Sequence, residues 1–188
     1  MKKILFILCL LFSLNTSSQC VSNQSFWINP VGPYSPGQVV TINYTLGTFT
    51  QININWIIAF QINLGAGWTN LQPIIAPVGG GTQGGYWLWD LQNTFPSGLN
   101  FGPGWRFVNS SWWNPDWGSS AMGPFTMRFR VTVGQTCTPD NLSISISVFG
   151  DCLTGGWNNG ACCSDPAYQI YNGVVQVPSI NTSLISHY

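Results

Sequence analysis

Side chains able to move protons, attack carbonyls or hold metals are scarce in this chain. There is one histidine, His187, in a bland tail, and no glutamate at all. A Ser-His-Asp or Cys-His site needs a histidine held beside its nucleophile, so nucleophilic catalysis of that kind is not expected. The carboxylates are Asp90, Asp116, Asp140, Asp151 and Asp165. A pair of them could in principle run glycoside hydrolysis, with Asp90 and Asp116 as the pair to test. Asp90, Asp116 and Asp151 all sit at turns or strand ends, where an aspartate ordinarily caps local backbone amides. Asn114 and Asp116 match no defined calcium loop. No CxxC pair is present, so no zinc site is expected. The expectation is a protein without catalytic residues, bound metal or cofactor.

The residues that stand out are the ten tryptophans. Trp112, Trp113 and Trp117 fall in the loop-like run Ser110-Ser-Trp-Trp-Asn-Pro-Asp-Trp117, where no strand period assigns them to a core. Trp157 lies in Gly155-Gly-Trp-Asn-Asn-Gly160, and Trp68 follows Gly65-Ala-Gly67. Indoles carried on loops can stack on sugar rings or anchor a protein partner. The candidate ligand-binding residues are therefore Trp112, Trp113, Trp117, Trp68 and Trp157, with Asp116 among them. Trp27 and Trp56 fall in strands and are expected in the core. Arg128 and Arg130 share one polar strand face and are expected to be solvated.

Positioning these loops requires a scaffold, and its period is clear. Val40, Ile42, Tyr44 and Leu46 alternate with polar residues, as do Phe125, Met127, Phe129, Val131 and Val133. Leu142, Ile144, Ile146 and Val148 are separated by serines. From Ile52 to Leu64 the even positions, Trp56 included, are apolar and predict one long strand with one buried face. Weaker strands are Ser25–Ile28, Tyr86–Asp90, Trp105–Asn109 and Val174–Val177. The turn Thr138-Pro-Asp-Asn141 predicts a hairpin. The fold class is all-β: an antiparallel β-sandwich of about eight or nine strands with long Gly/Pro/Trp-rich loops, a closed barrel being the alternative.

Lys2 and Lys3, the 11 residues Ile4–Leu14 (apolar apart from Ser13) and the small polar stretch to Gln19 have the layout of an export signal. The apolar run is shorter than the roughly 20 residues that span a bilayer. Residues 1–19 are read as a signal peptide, 20–180 as one β-sandwich domain and 181–188 as a C-terminal tail. Cleavage is expected just before Gln19 or Cys20; lipidation of Cys20 is the rival. Export would remove both lysines and leave three arginines against five aspartates, a charge of −2. So little positive charge is no footprint for nucleic acid or an anionic membrane. The exported cysteines, Cys20, Cys137, Cys152, Cys162 and Cys163, are candidates for disulfides. Cys152 with Cys162 or Cys163, and Cys20 with Cys137, is the expected pairing, with one thiol left over.

Several motifs recur in a common order. They are Gly65-Ala-Gly-Trp68, Gly84-Gly-Tyr-Trp-Leu-Trp-Asp90, Phe101-Gly-Pro-Gly-Trp-Arg-Phe107 and Asn114-Pro-Asp-Trp-Gly118, followed by Val148-Phe-Gly-Asp-Cys-Leu-Thr-Gly-Gly-Trp157 with Ala161-Cys-Cys-Ser-Asp-Pro166. Over about Ser22 to Val177 the chain resembles the N-terminal β-rich module of secreted cell-surface proteins of Bacteroidota, the kind that often end in a gliding-motility-associated C-terminal sorting domain. That resemblance implies an extracellular adhesive module of no established enzymatic activity and carries over no catalytic residue. The doubled Cys162-Cys163 and the end at Tyr188, without a recognisable sorting domain, depart from the pattern. The expected function is non-catalytic binding or adhesion at the cell surface, the partner being a glycan or a surface protein. A structural subunit of an extracellular layer or fibre is the alternative, since few charges oppose self-association.

Overall fold

The structure is a computed structural model. It describes residues 21–49, 56–78, 84–92, 94, 98, 100–113, 115, 117–121, 123–136 and 141–151, and the backbone of 164–165. These residues form β1 (Val21–Ser22), β2 (Ser25–Asn29), β3 (Val39–Leu46), β4 (Thr48–Phe49), β5 (Ile57–Leu64) and β6 (Trp68–Val78). They continue with β7 (Gly85–Asp90), β8 (Gly104–Asn109), β9 (Phe125–Val133), β10 (Ile144–Gly150) and β11 (Ser164–Asp165). Pairing is antiparallel throughout and builds a four-stranded sheet, β2-β3-β9-β6, a five-stranded sheet, β11-β10-β5-β8-β7, and a small β1-β4 pair. Among the described residues both large sheets are open rather than closed on themselves, so the architecture is the sandwich and not the closed barrel. No described helix is long and apolar enough to cross a membrane.

The alternating residues do what their period requires. Ile42, Tyr44, Met127 and Phe129 from one sheet and Phe60, Ile62, Phe107, Ile144 and Ile146 from the other enter one core. An aromatic cluster ties the layers together. Trp87 meets Phe60 at 5.2 Å, Phe107 at 5.4 Å and Phe125 at 5.9 Å. Phe125 begins β9 in the opposite sheet, so its contact with Trp87 crosses the interface and is worth about 1 kcal/mol beyond area burial.

Four expectations are corrected. The strand expected from Ile52 is described only from Ile57, and its alternation is broken by a bulge. Phe149 pairs with Ala59 while Gly150 pairs with Ile57, which leaves Ile58 as the extra residue of β5. A bulge shifts the side-chain parity by one. Ile57, not Trp56, therefore joins Phe60 and Ile62 in the core, while Ile58 and Ala59 pack on the outer face under Phe101 and Phe149. Trp56 is only half-buried. Trp27 is 56 % exposed, because Phe26 and Ile28 hold the inward parity of β2. The β9–β10 connection is no hairpin, since β9 belongs to the four-stranded sheet and β10 to the five-stranded one. Finally, β6 is an 11-residue strand where no strand was expected. Its register shifts three times along β9, and Asn70 has a positive φ of 51°, so no clean period of two survives in its sequence. The expected strand Val174–Val177 lies outside the described residues.

Candidate binding surface

The tip of the sandwich where β3, β8 and β10 finish and β5, β7 and β9 begin carries the tryptophans that matter. Strand β8 stops at Asn109, whose Oδ1 accepts the Ser111 N–H at 2.8 Å and turns the chain. Ser110 is fastened to the start of β7, where the Gly84 carbonyl accepts hydrogen bonds from its N–H and from its hydroxyl. On this anchored base stand Trp112, 84 % exposed, and Trp113, 63 % exposed. Their rings meet edge to face, centroids 5.5 Å apart and planes at 85°. Leaving an indole in water forgoes roughly 2–3 kcal/mol of burial per side chain. The pair buttress each other.

Trp117 belongs to the same tip but not to the exposed pair. It is half-buried against Trp56, centroids 5.9 Å apart and planes at 87°. Beneath this second pair lies Asp151, a buried carboxylate just past the end of β10. Its Oδ2 accepts the Gly118 N–H at 2.9 Å and its Oδ1 the Trp56 N–H at 3.3 Å. Ser119 N–H donates to the Ile57 carbonyl at 2.8 Å. The aspartate thus ties the 117–119 segment to the entry of β5. Sequence reasoning assigned Asp151 to backbone capping and did not foresee that it would join three segments far apart in the chain.

Trp68 is corrected as a candidate. It is buried to 5 % exposure at the opposite end of the sandwich, edge-on to Tyr34 at 5.7 Å. The preceding Gly67 explains its placement: a Cβ there would fall 2.9 Å from the Leu142 side chain, so the chain runs tight against β10's entry and does not form an open loop. Asp90 caps the backbone, accepting from Gln92 N–H at 2.8 Å and Thr94 N–H at 3.3 Å, and it pairs with Arg106 at 3.5 Å. Asp90 lies opposite Gly104, which pairs with Gln61; Asp151 adjoins Gly150, which pairs with Ile57. The two described carboxylates are therefore on the order of 20 Å apart by strand geometry, well beyond the spacing of a glycosidase pair. Trp157, Asp116, Cys20, Cys137, Cys152, Cys162 and Cys163 lie outside the described residues. Among the described residues no group of three or more His, Cys, Asp or Glu could hold a metal ion.

No family model matches the chain, and neither does any curated protein or solved structure.

Proposed function

We propose that the protein is an extracellular, non-catalytic binding or adhesion module whose Trp112–Trp113 tip contacts a glycan or a cell-surface partner. The observation that carries this reading is the pair itself: two indoles 84 % and 63 % exposed on a turn fastened to Gly84. Aromatic anchors contribute most to binding when their surroundings hold them still, because little freedom is then lost on contact. The export signal expected at residues 1–19 supports the extracellular setting. A glycan array followed by titration of intrinsic fluorescence tests the proposal. A bound glycan should shift the emission of the exposed indoles, and Trp112→Ala should abolish both the shift and attachment. Unchanged attachment by that variant would reject the tip as the contact.

A further inference from the structure

The outer faces of the two sheets differ. On the five-stranded sheet Phe101 stacks on Phe149 at 4.4 Å and covers Ile58 and Ala59. On the four-stranded sheet the register puts Trp27, Asn43, Arg128 and Ile75 in one row across β2, β3, β9 and β6, all on the solvent side. The next outward row is Asn29, Thr41, Arg130 and Gln72. Neighbouring strands are about 4.8 Å apart, and same-face residues along one strand about 7 Å. One indole and two guanidiniums therefore share a flat patch roughly 10 Å by 7 Å.

Among the described residues no acidic side chain pairs with the arginines of this patch. Arg128 Nε donates to Asn43 Oδ1 at 2.6 Å, and Arg130 donates to Gln72 Oε1 through Nε at 2.8 Å and also through Nη2. Both partners are neutral amides, which orient a guanidinium without neutralising it. The sequences of β2, β3, β6 and β9 contain no aspartate or glutamate. Arg128 and Arg130 are both exposed, and Thr45 and Thr126 add hydroxyls joined at 3.0 Å on the same face.

We infer that this face is a second binding site, separate from the tryptophan tip, and that it takes an acidic polysaccharide. The indole of Trp27 stacks on a sugar ring, and the Nη N–H groups of Arg128 and Arg130 left outside the Asn43 and Gln72 bonds receive the carboxylate or sulfate groups of neighbouring sugars. A second copy of this chain fits poorly, because a two-fold contact would bring four guanidiniums together with no acid between them. A nucleic acid also fits poorly, since two cations neutralise few phosphates.

Affinity electrophoresis of the full chain tests the inference, in gels containing polygalacturonate, dextran sulfate or plain dextran at about 150 mM salt, where long-range attraction is screened. One or both acidic polymers should retard the protein and plain dextran should not; the two acidic arms separate carboxylate from sulfate recognition. The double variant Arg128→Gln/Arg130→Gln should weaken retardation by about tenfold or more, the size of a lost charge-assisted hydrogen bond. Trp27→Ala should weaken it about fivefold. Arg128→Lys/Arg130→Lys should also lose most of it, because lysine keeps the charge but not the fork. Tyr86→Ala, which removes an exposed aromatic of the five-stranded sheet outside both sites, should leave it unchanged. Equal retardation by plain dextran, indifference to the double glutamine variant, full retention by the double lysine variant, or tighter binding of single-stranded DNA would each overturn the inference. All three side chains are exposed, and thermal melting of each variant checks that the fold is intact.

Discussion

Asp151 and Trp56 grip each other twice: the Asp151 N–H donates to the Trp56 carbonyl at 2.8 Å, and the Asp151 carboxylate accepts the Trp56 N–H at 3.3 Å. With the bond from Gly118 N–H, this makes one buried side chain the fastening of the 117–119 segment to the entry of β5. Asp151→Ala strips both amides of their acceptor in a buried setting. It should destabilise the protein by about 2–4 kcal/mol, seen as a lower urea midpoint with an unchanged slope. The emission of Trp56 and Trp117 should shift to the red in the native baseline as their contact loosens.

Gly118 is the other half of that fastening, and it has no room for a side chain. An added Cβ would lie 2.5 Å from the Ile57 carbonyl oxygen and 2.7 Å from that of Trp56, both backbone atoms of a strand entry. Gly118→Ala should therefore cost about 1–3 kcal/mol, as overpacking of a closed site does. Combined with Asp151→Ala, the loss should fall short of the sum of the two, because both changes break the same contact. A double-mutant cycle by urea unfolding measures that shortfall.

The tryptophans should separate cleanly by their effects. Trp112→Ala should change stability by no more than about 0.5 kcal/mol, as expected of an exposed side chain, while abolishing attachment. Trp68→Ala should cost about 3–5 kcal/mol through the cavity left against Tyr34 and leave the chemistry of the tip intact. Thermal melting paired with a binding titration on each variant distinguishes the two roles.

Tyr44 makes the fold sensitive to alkali. Burial in the core pushes its phenol well above the ordinary value of 10.0. Its hydroxyl donates to Gln24 Oε1 at 2.9 Å, so the neutral form is the one held in place. Below pH 10 both folded and unfolded states keep the proton, and the pH has no leverage through this group. Above that value the unfolded chain releases it and the folded chain does not. Stability should then fall by about 1.4 kcal/mol per pH unit from this residue. Urea midpoints measured between pH 9 and 11 should show the loss. Tyr44→Phe should flatten it at a cost of about 1 kcal/mol at neutral pH.

The fold was legible wherever a strand kept a clean period against a single core. Strands β3, β9 and β10 read correctly because each alternates without interruption between buried and open positions. Period two is blind to a bulge, and the extra Ile58 was enough to move Trp56 off the core face. Strand β6 was invisible because prolines and register shifts remove the alternation a strand is recognised by. Trp27 was misassigned by residue type, although the flanking Phe26 and Ile28 already claimed the inward parity of β2. The exposed pair Trp112 and Trp113 was found from its polar, proline-bearing surroundings. The same logic failed for Trp68, since a glycine that marks a loop and a glycine that permits close packing look alike in one dimension. The Asp151 fastening could not be read, and of the two-arginine face only the shared strand side of Arg128 and Arg130 was legible, because the sheet order alone brings Trp27, Asn43 and Gln72 beside them.

The irregularity of β6 has a further consequence at the sandwich's rim. It borders the four-stranded sheet with Pro73 and Pro77, which offer no N–H, and with a ladder whose spacing is broken three times. A foreign strand arriving there would find no continuous row of donors and acceptors to copy. The opposite border, β2, is five regular residues with Trp27 at its centre. The sheet is thus a one-sided template: a strand docked on β2 would have no second border to propagate from, and growth by edge pairing through this sheet would end where it began.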